Sequence, residues 1–194
     1  MRLARPLSTI VLAFGATTGL LQRLVPSRYN LGPEGRWWEV LRRAVSGVAA
    51  RMDERAGPRA VVRAEYAGRL DRAAAATEQW LWDAGFVRNP VARLKVRDGE
   101  PELGSWVYRE SPLAQRQLHL MLFECEDGSI DIYAHAELSS IHPVHGPAHF
   151  RGDGQSVGVG VRRARRLLPL DVSDAPADPP DVPWSVAAHE RTDG

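Results

Sequence analysis

The chain has 194 residues, of which 44% are hydrophobic, with a net charge of +1 and one cysteine. This is enough apolar matter for one packed domain with appendages, and it excludes wholesale disorder. A lone Cys125 excludes intramolecular disulfides and cysteine-based zinc motifs, and the near-zero net charge singles out no acidic or basic partner.

The charge is unevenly spread. Residues 1–70 carry twelve arginines against five acids, while residues 169–194 carry Arg191 against six acids. In residues 1–24, Arg2 and Arg5 precede an uncharged run from Pro6 to Leu21, and Arg23 closes it. A basic start before such a run is the pattern of a membrane anchor or a cleaved signal. Sixteen residues span about 24 Å as a helix, short of a hydrocarbon core of about 30 Å. The arginines after the run lean towards a cytoplasmic body, so the expectation is a single N-terminal span. Residues 25–58 hold RWWEVLRRAVSGVAARMDERAG, in which Trp37, Leu41, Ala44, Val48 and Met52 recur at helical spacing. Behind an apolar segment this reads as an amphipathic juxtamembrane helix, which makes a membrane the expected partner of residues 1–54.

Residues 60–170 read as an α+β domain: a four-stranded antiparallel meander with a preceding helix and a C-terminal helix packed on one face. The preceding helix is expected over 64–84, where alanines abound, and Gly85-Phe86 matches a Schellman ending. Strand-like runs follow at 92–97, 105–109, 116–125 and 129–138, with Asp127-Gly128 as a hairpin turn. A two-residue turn sets Cys125 opposite Ile130, Phe123 opposite Ile132 and His119 opposite Ala136. That register puts His119 on the apolar face, as a hydrogen-bonded core histidine, and His135 on the other. A three-residue turn shifts every pair by one. In VGVGVRRARRLL, Val157, Val161, Ala164 and Leu168 form one helical face, with Arg162, Arg163, Arg165 and Arg166 around the rest. Residues 171–194 are acidic and proline-rich, the composition of a disordered tail.

The chemistry-bearing stretch is YAHAELSSIHPVHGPAHF, residues 133–150. Imidazole nitrogens and a carboxylate are the donors zinc takes, so His135, Glu137, His142, His145 and His149 are candidate ligands. His135 beside Glu137 is also the minimum for oriented acid–base catalysis. Pro143, Gly146 and Pro147 make the later part a loop, so the spacing alone does not bring its histidines together. GDGQSVG departs from the dinucleotide fingerprint, and there is no Walker lysine and no G-x-S-x-G elbow. Two functions remain open: a membrane-tethered α+β binding domain for a protein or small ligand, or a zinc-dependent hydrolase using residues 135–149. The Arg162–Arg166 cluster without interleaved aromatics does not make nucleic acid an expected partner.

Overall fold

The computed structural model describes residues 21–24, 30–31, 36–52, 57–90, 92–142, 145, 148–149 and 152–177. Among these, the order in the chain is α1 (Arg36–Met52), β1 (Arg59–Ala60), β2 (Tyr66–Leu70), α2 (Ala74–Asp83), β3 (Val87–Arg88), β4 (Lys95–Arg97), β5 (Glu100–Pro101), β6 (Gly104–Tyr108), β7 (Arg116–Glu124), β8 (Ile130–Leu138) and α3 (Val157–Leu167). The class is α+β. One sheet has five antiparallel strands in the order β2-β8-β7-β6-β3, and a second has three in the order β1-β4-β5, with β1 and β4 parallel.

The four-stranded meander therefore needs correcting. Its last three strands are β6, β7 and β8, but residues 95–97 leave them and join the smaller sheet. The helix expected over 64–84 is shorter too. Its first part is a 3₁₀ turn at Arg63–Glu65 and then β2, whose backbone pairs with β8 on one side and with Asp171 on the other. Those ladder bonds override the alanine-rich local preference, which prevails only from Ala74. The helix ends as expected: Gly85 takes φ +93°, and the Phe86 N–H reaches back 2.9 Å to the Leu81 carbonyl.

The β7–β8 hairpin has a three-residue loop. The Cys125 N–H donates to the Ser129 carbonyl at 2.9 Å, and Gly128 takes φ +81°. Asp127 Oδ1 accepts from the Ser129 N–H and hydroxyl, at 3.0 and 2.5 Å, and this side-chain turn holds the extra residue. Every pair is thus shifted by one from the two-residue reading. Leu118, Leu120 and Leu122 face Ala136, Ala134 and Ile132, whereas Gln117, His119, Met121 and Phe123 face Glu137, His135, Tyr133 and Asp131. One face is apolar and the other largely polar, because residues of like parity share a face.

The apolar face forms the core with Leu81, Trp82, Phe86 and Trp106. Val161 and Ala164 of α3, with Leu168 just past its end, belong to the same cluster, as their spacing indicates. The helix lies very close to β8. A Cβ on Gly160 would come within 2.2 Å of the His135 backbone.

The polar face is also buried, and α1 is part of its surroundings. The helix exists where expected, but its buried stripe is Trp38, Arg42 and Ser46, one position round from the apolar-spacing reading, and Trp37, Val40 and Ala44 are exposed. Trp38 Nε1 donates to Asn30 Oδ1 at 2.8 Å, Arg42 to Glu102 at 2.6 Å and Ser46 to the Ala92 carbonyl at 3.2 Å. These polar anchors, not an apolar stripe, dock α1 on the protein.

The expectation of a single N-terminal membrane span with a cytoplasmic body is likewise corrected. Among the described residues no helix is long and apolar enough to cross a membrane. The end of the expected anchor packs on the domain: Gln22 is buried and exchanges two hydrogen bonds with the Arg88 backbone, and Arg23 donates to the Trp82 and Phe86 carbonyls. Residues 1–20 of that segment lie outside the described residues, as do residues 178–194 of the expected tail.

Candidate metal centre

The hairpin register puts His119 on β7 directly opposite His135 on β8, and Glu137 two residues on points to the same side. All three are buried, at 1%, 0% and 2% exposure. His119 Nδ1 lies 3.2 Å from His135 Nε2. The same two nitrogens lie 3.4 Å from Glu137 Oε1 and 3.2 Å from Glu137 Oε2 respectively. Among the described residues this is the group of histidine, cysteine and acid donors whose ligand atoms all converge within 4.8 Å. Ligands about 2.0–2.1 Å from a tetrahedral zinc ion stand about 3.3–3.4 Å from one another, and the two nitrogens are close to that separation, with one carboxylate oxygen near each.

The outer contacts set which nitrogen faces inward. His135 Nδ1 is 2.8 Å from Glu65 Oε1. Burial opposes the Glu65 charge, but Arg59 at 2.5 Å and His135 outweigh it and hold the carboxyl far below its usual range. An ionised Glu65 only accepts, so His135 carries a proton on Nδ1 and turns Nε2 inward. His119 Nε2 is 2.7 Å from Ser105 Oγ, a hydroxyl able to accept or donate, and its Nδ1 faces inward. Burial lowers the His119 pKa to about 3, so the ring is neutral at pH 7. For Glu137, burial again works against charge, and the imidazoles of His149, His119 and His135 outweigh it and keep the group ionised. Gln117 Nε2 donates to Glu137 Oε1 at 2.7 Å. The result is a tight group of two imidazole nitrogens and a carboxylate, each with its other side tied to a hydrogen-bonding partner.

A cavity of about 10 Å³ borders this group, lined in part by Arg59, Lys95, His119, Glu137, His149 and Gln155. That is room for about one water. Lys95 is buried at 2% exposure, and its ammonium donates to the Arg93 carbonyl at 3.2 Å. Burial, helped by nearby Arg59, lowers its pKa to about 8.

Of the residues expected as ligands from sequence, His135 and Glu137 are in the group. His149 sits beside it, with Nδ1 3.0 Å from the Leu138 carbonyl and 3.5 Å from Glu137 Oε2. His142 and His145 are half-buried and stacked on each other, ring centroids 4.4 Å apart, and belong to no converging donor group among the described residues. The sequence reading set His119 aside on the two-residue turn. Asp127 followed by Ser129 was the signal for the longer loop, since an aspartate can accept hydrogen bonds from a serine two residues on.

No protein-family model matches the chain, and no match was found among curated proteins or solved structures.

Proposed function

We propose that the protein binds one zinc-class divalent cation through His119, His135 and Glu137 and uses it to activate water, as a metal-dependent hydrolase. The observation that carries this reading is the convergence of two buried imidazole nitrogens and one buried carboxylate. The nitrogens lie 3.2 Å apart, and each lies 3.2–3.4 Å from a different oxygen of Glu137. Ring protons bridge such contacts in pairs; a divalent cation would draw on all three groups at once. The flanking pairs support it, because ligating histidines characteristically give their other N–H to a carboxylate or another acceptor, as His135 does to Glu65.

Hydrolysis is supported by what lies on the fourth side. A site built only for structure closes with a fourth protein ligand, whereas a catalytic one leaves a water position. The one-water cavity is such a position. A metal there lowers the pKa of bound water towards about 7, and the buried Lys95 ammonium in the same lining favours the hydroxide form.

The test is metal content by mass spectrometry on the full chain expressed without a histidine tag. The expected result is one zinc-class ion per chain, lost in His119→Ala and retained in His142→Ala and His145→Ala. Metal-free protein that also fails to take up added zinc refutes the centre. Loss of metal in the loop variants but not in His119→Ala would move the centre to the loop histidines.

A further inference from the structure

Three buried side-chain atoms at one end of the polar face have no hydrogen-bond partner: Asn89 Nδ2, Arg109 Nε and Ser139 Oγ. Interiors pair nearly all such atoms, so a group of them calls for a physical reason. Two of the side chains that carry them meet on one hydroxyl. Arg109 donates through Nη2 to Ser140 Oγ at 2.8 Å, and Ser140 Oγ donates to Asn89 Oδ1 at 3.2 Å. The unpartnered Arg109 Nε and Asn89 Nδ2 belong to the same planar groups that touch Ser140, and Ser139 is its chain neighbour. Asn89 is 1% exposed and Ser139 0%.

The group also adjoins the metal centre. The Ser140 N–H donates to Gln117 Oε1 at 3.2 Å, and Gln117 Nε2 donates to the Glu137 carboxylate at 2.7 Å. One side chain therefore separates it from a ligand of the proposed metal. Two of the unpartnered atoms are N–H donors and the third is a hydroxyl that can donate. Burial lowers the Arg109 pKa, to about 10. A water would bring two donors of its own and no charge, so that only the more distant Glu137 carboxylate would oppose the guanidinium. An oxyanion brings only acceptors and the opposite charge.

We propose that Arg109, Asn89 and Ser139 bind one oxyanion group, a phosphate or a carboxylate, on the substrate of the metal centre. The link to catalysis rests on the metal reading; anion binding by these three residues does not.

The experiment is thermal unfolding of the full chain, stripped of metal with EDTA, in sodium phosphate, sodium acetate and sodium chloride at matched ionic strength. An oxyanion that binds the folded state well above its Kd raises Tm by about 3 °C over chloride in a protein of this size. The rise should be absent in Arg109→Gln, smaller in Ser139→Ala and unchanged in His119→Ala. A response to phosphate alone assigns a phosphoester substrate; a response to both salts assigns a carboxylate-sized group. No rise over chloride, or an equal rise in Arg109→Gln, overturns the proposal. Should Arg109→Gln fail to fold, phosphate binding by calorimetry on wild type and Ser139→Ala decides it: equal binding, or none, refutes the subsite. If the wild type binds no metal but shows the phosphate response, the subsite stands and only its tie to hydrolysis falls.

Discussion

Glu65→Gln separates a metal-supporting role for Glu65 from a purely structural one. The substitution keeps the shape and removes the charge. In the native chain Glu65 Oε1 receives Arg59 at 2.5 Å and His135 Nδ1 at 2.8 Å, in a place where Glu65 is 0% exposed. Two losses should follow. The Arg59 guanidinium, only 4% exposed, loses the charge that compensates its burial, and breaking one side of such a pair costs about 3–5 kcal/mol. The His135 imidazole loses the partner that fixes its tautomer and raises its basicity, which for outer partners of metal ligands costs about 10–100-fold in metal affinity, or about 1.4–2.7 kcal/mol. The second change Arg59→Met distinguishes the two losses. In the double variant the stranded charge is gone, so denaturant stability should recover by most of the first loss, while zinc affinity, measured by competition with a chromophoric chelator, should stay reduced. The reasoning fails if Glu65→Gln binds zinc as tightly as wild type, or if restoring stability also restores affinity.

Gly160→Ala should destabilise the protein by at least about 3 kcal/mol in urea unfolding, because the added Cβ sits 2.2 Å from the His135 backbone and α3 must lift off β8. The same variant should weaken zinc binding, since His135 rides on the backbone that is displaced. Gly128→Ala meets open space but holds φ +81°, so it should cost about 1 kcal/mol and leave zinc binding intact, and a loss of metal would contradict the hairpin's local role. Arg88→Met should lower the urea midpoint by the equivalent of about 3–5 kcal/mol, with metal stoichiometry unchanged where the variant folds.

The parts of the fold that were legible in the sequence are those fixed by local chemistry. Gly85-Phe86 ended a helix because only the local backbone decides it, and the α3 stripe was visible as Val157, Val161, Ala164 and Leu168. The hairpin was visible too, but its register hung on one residue. A strand's side chains alternate, so a loop of three instead of two residues moved His119 from the face opposite His135 to the position facing it. The site was half legible for the same reason: His135 and Glu137 lie two apart on one strand, a local fact, whereas His119, Glu65 and Ser105 reach them through pairings between distant segments. The α1 stripe misled because the helix docks through Arg42 and Ser46, and apolar spacing does not report ionic anchors.

Two of the buried polar networks among the described residues differ in how their donors and acceptors are arranged. Around Arg88 the count closes: Nε donates to the Asn30 carbonyl at 2.8 Å, one terminal nitrogen to Glu39 at 3.2 Å and the other to Glu78 at 2.7 Å. The backbone of the same residue exchanges both its groups with Gln22. Such a network cross-links α1, α2 and β3, and its removal is a matter of stability. Around His119, His135 and Glu137, two imidazole nitrogens and a carboxylate crowd one another at 3.2–3.4 Å in a buried place. Burying that arrangement works against folding in the absence of a cation, and packed apolar side chains in its place would cost less. A sheet with one apolar face already supplies the core, so the second face is under no packing demand to carry three converging ligands. On the proposed reading, their position is accounted for by a cation that binds between them.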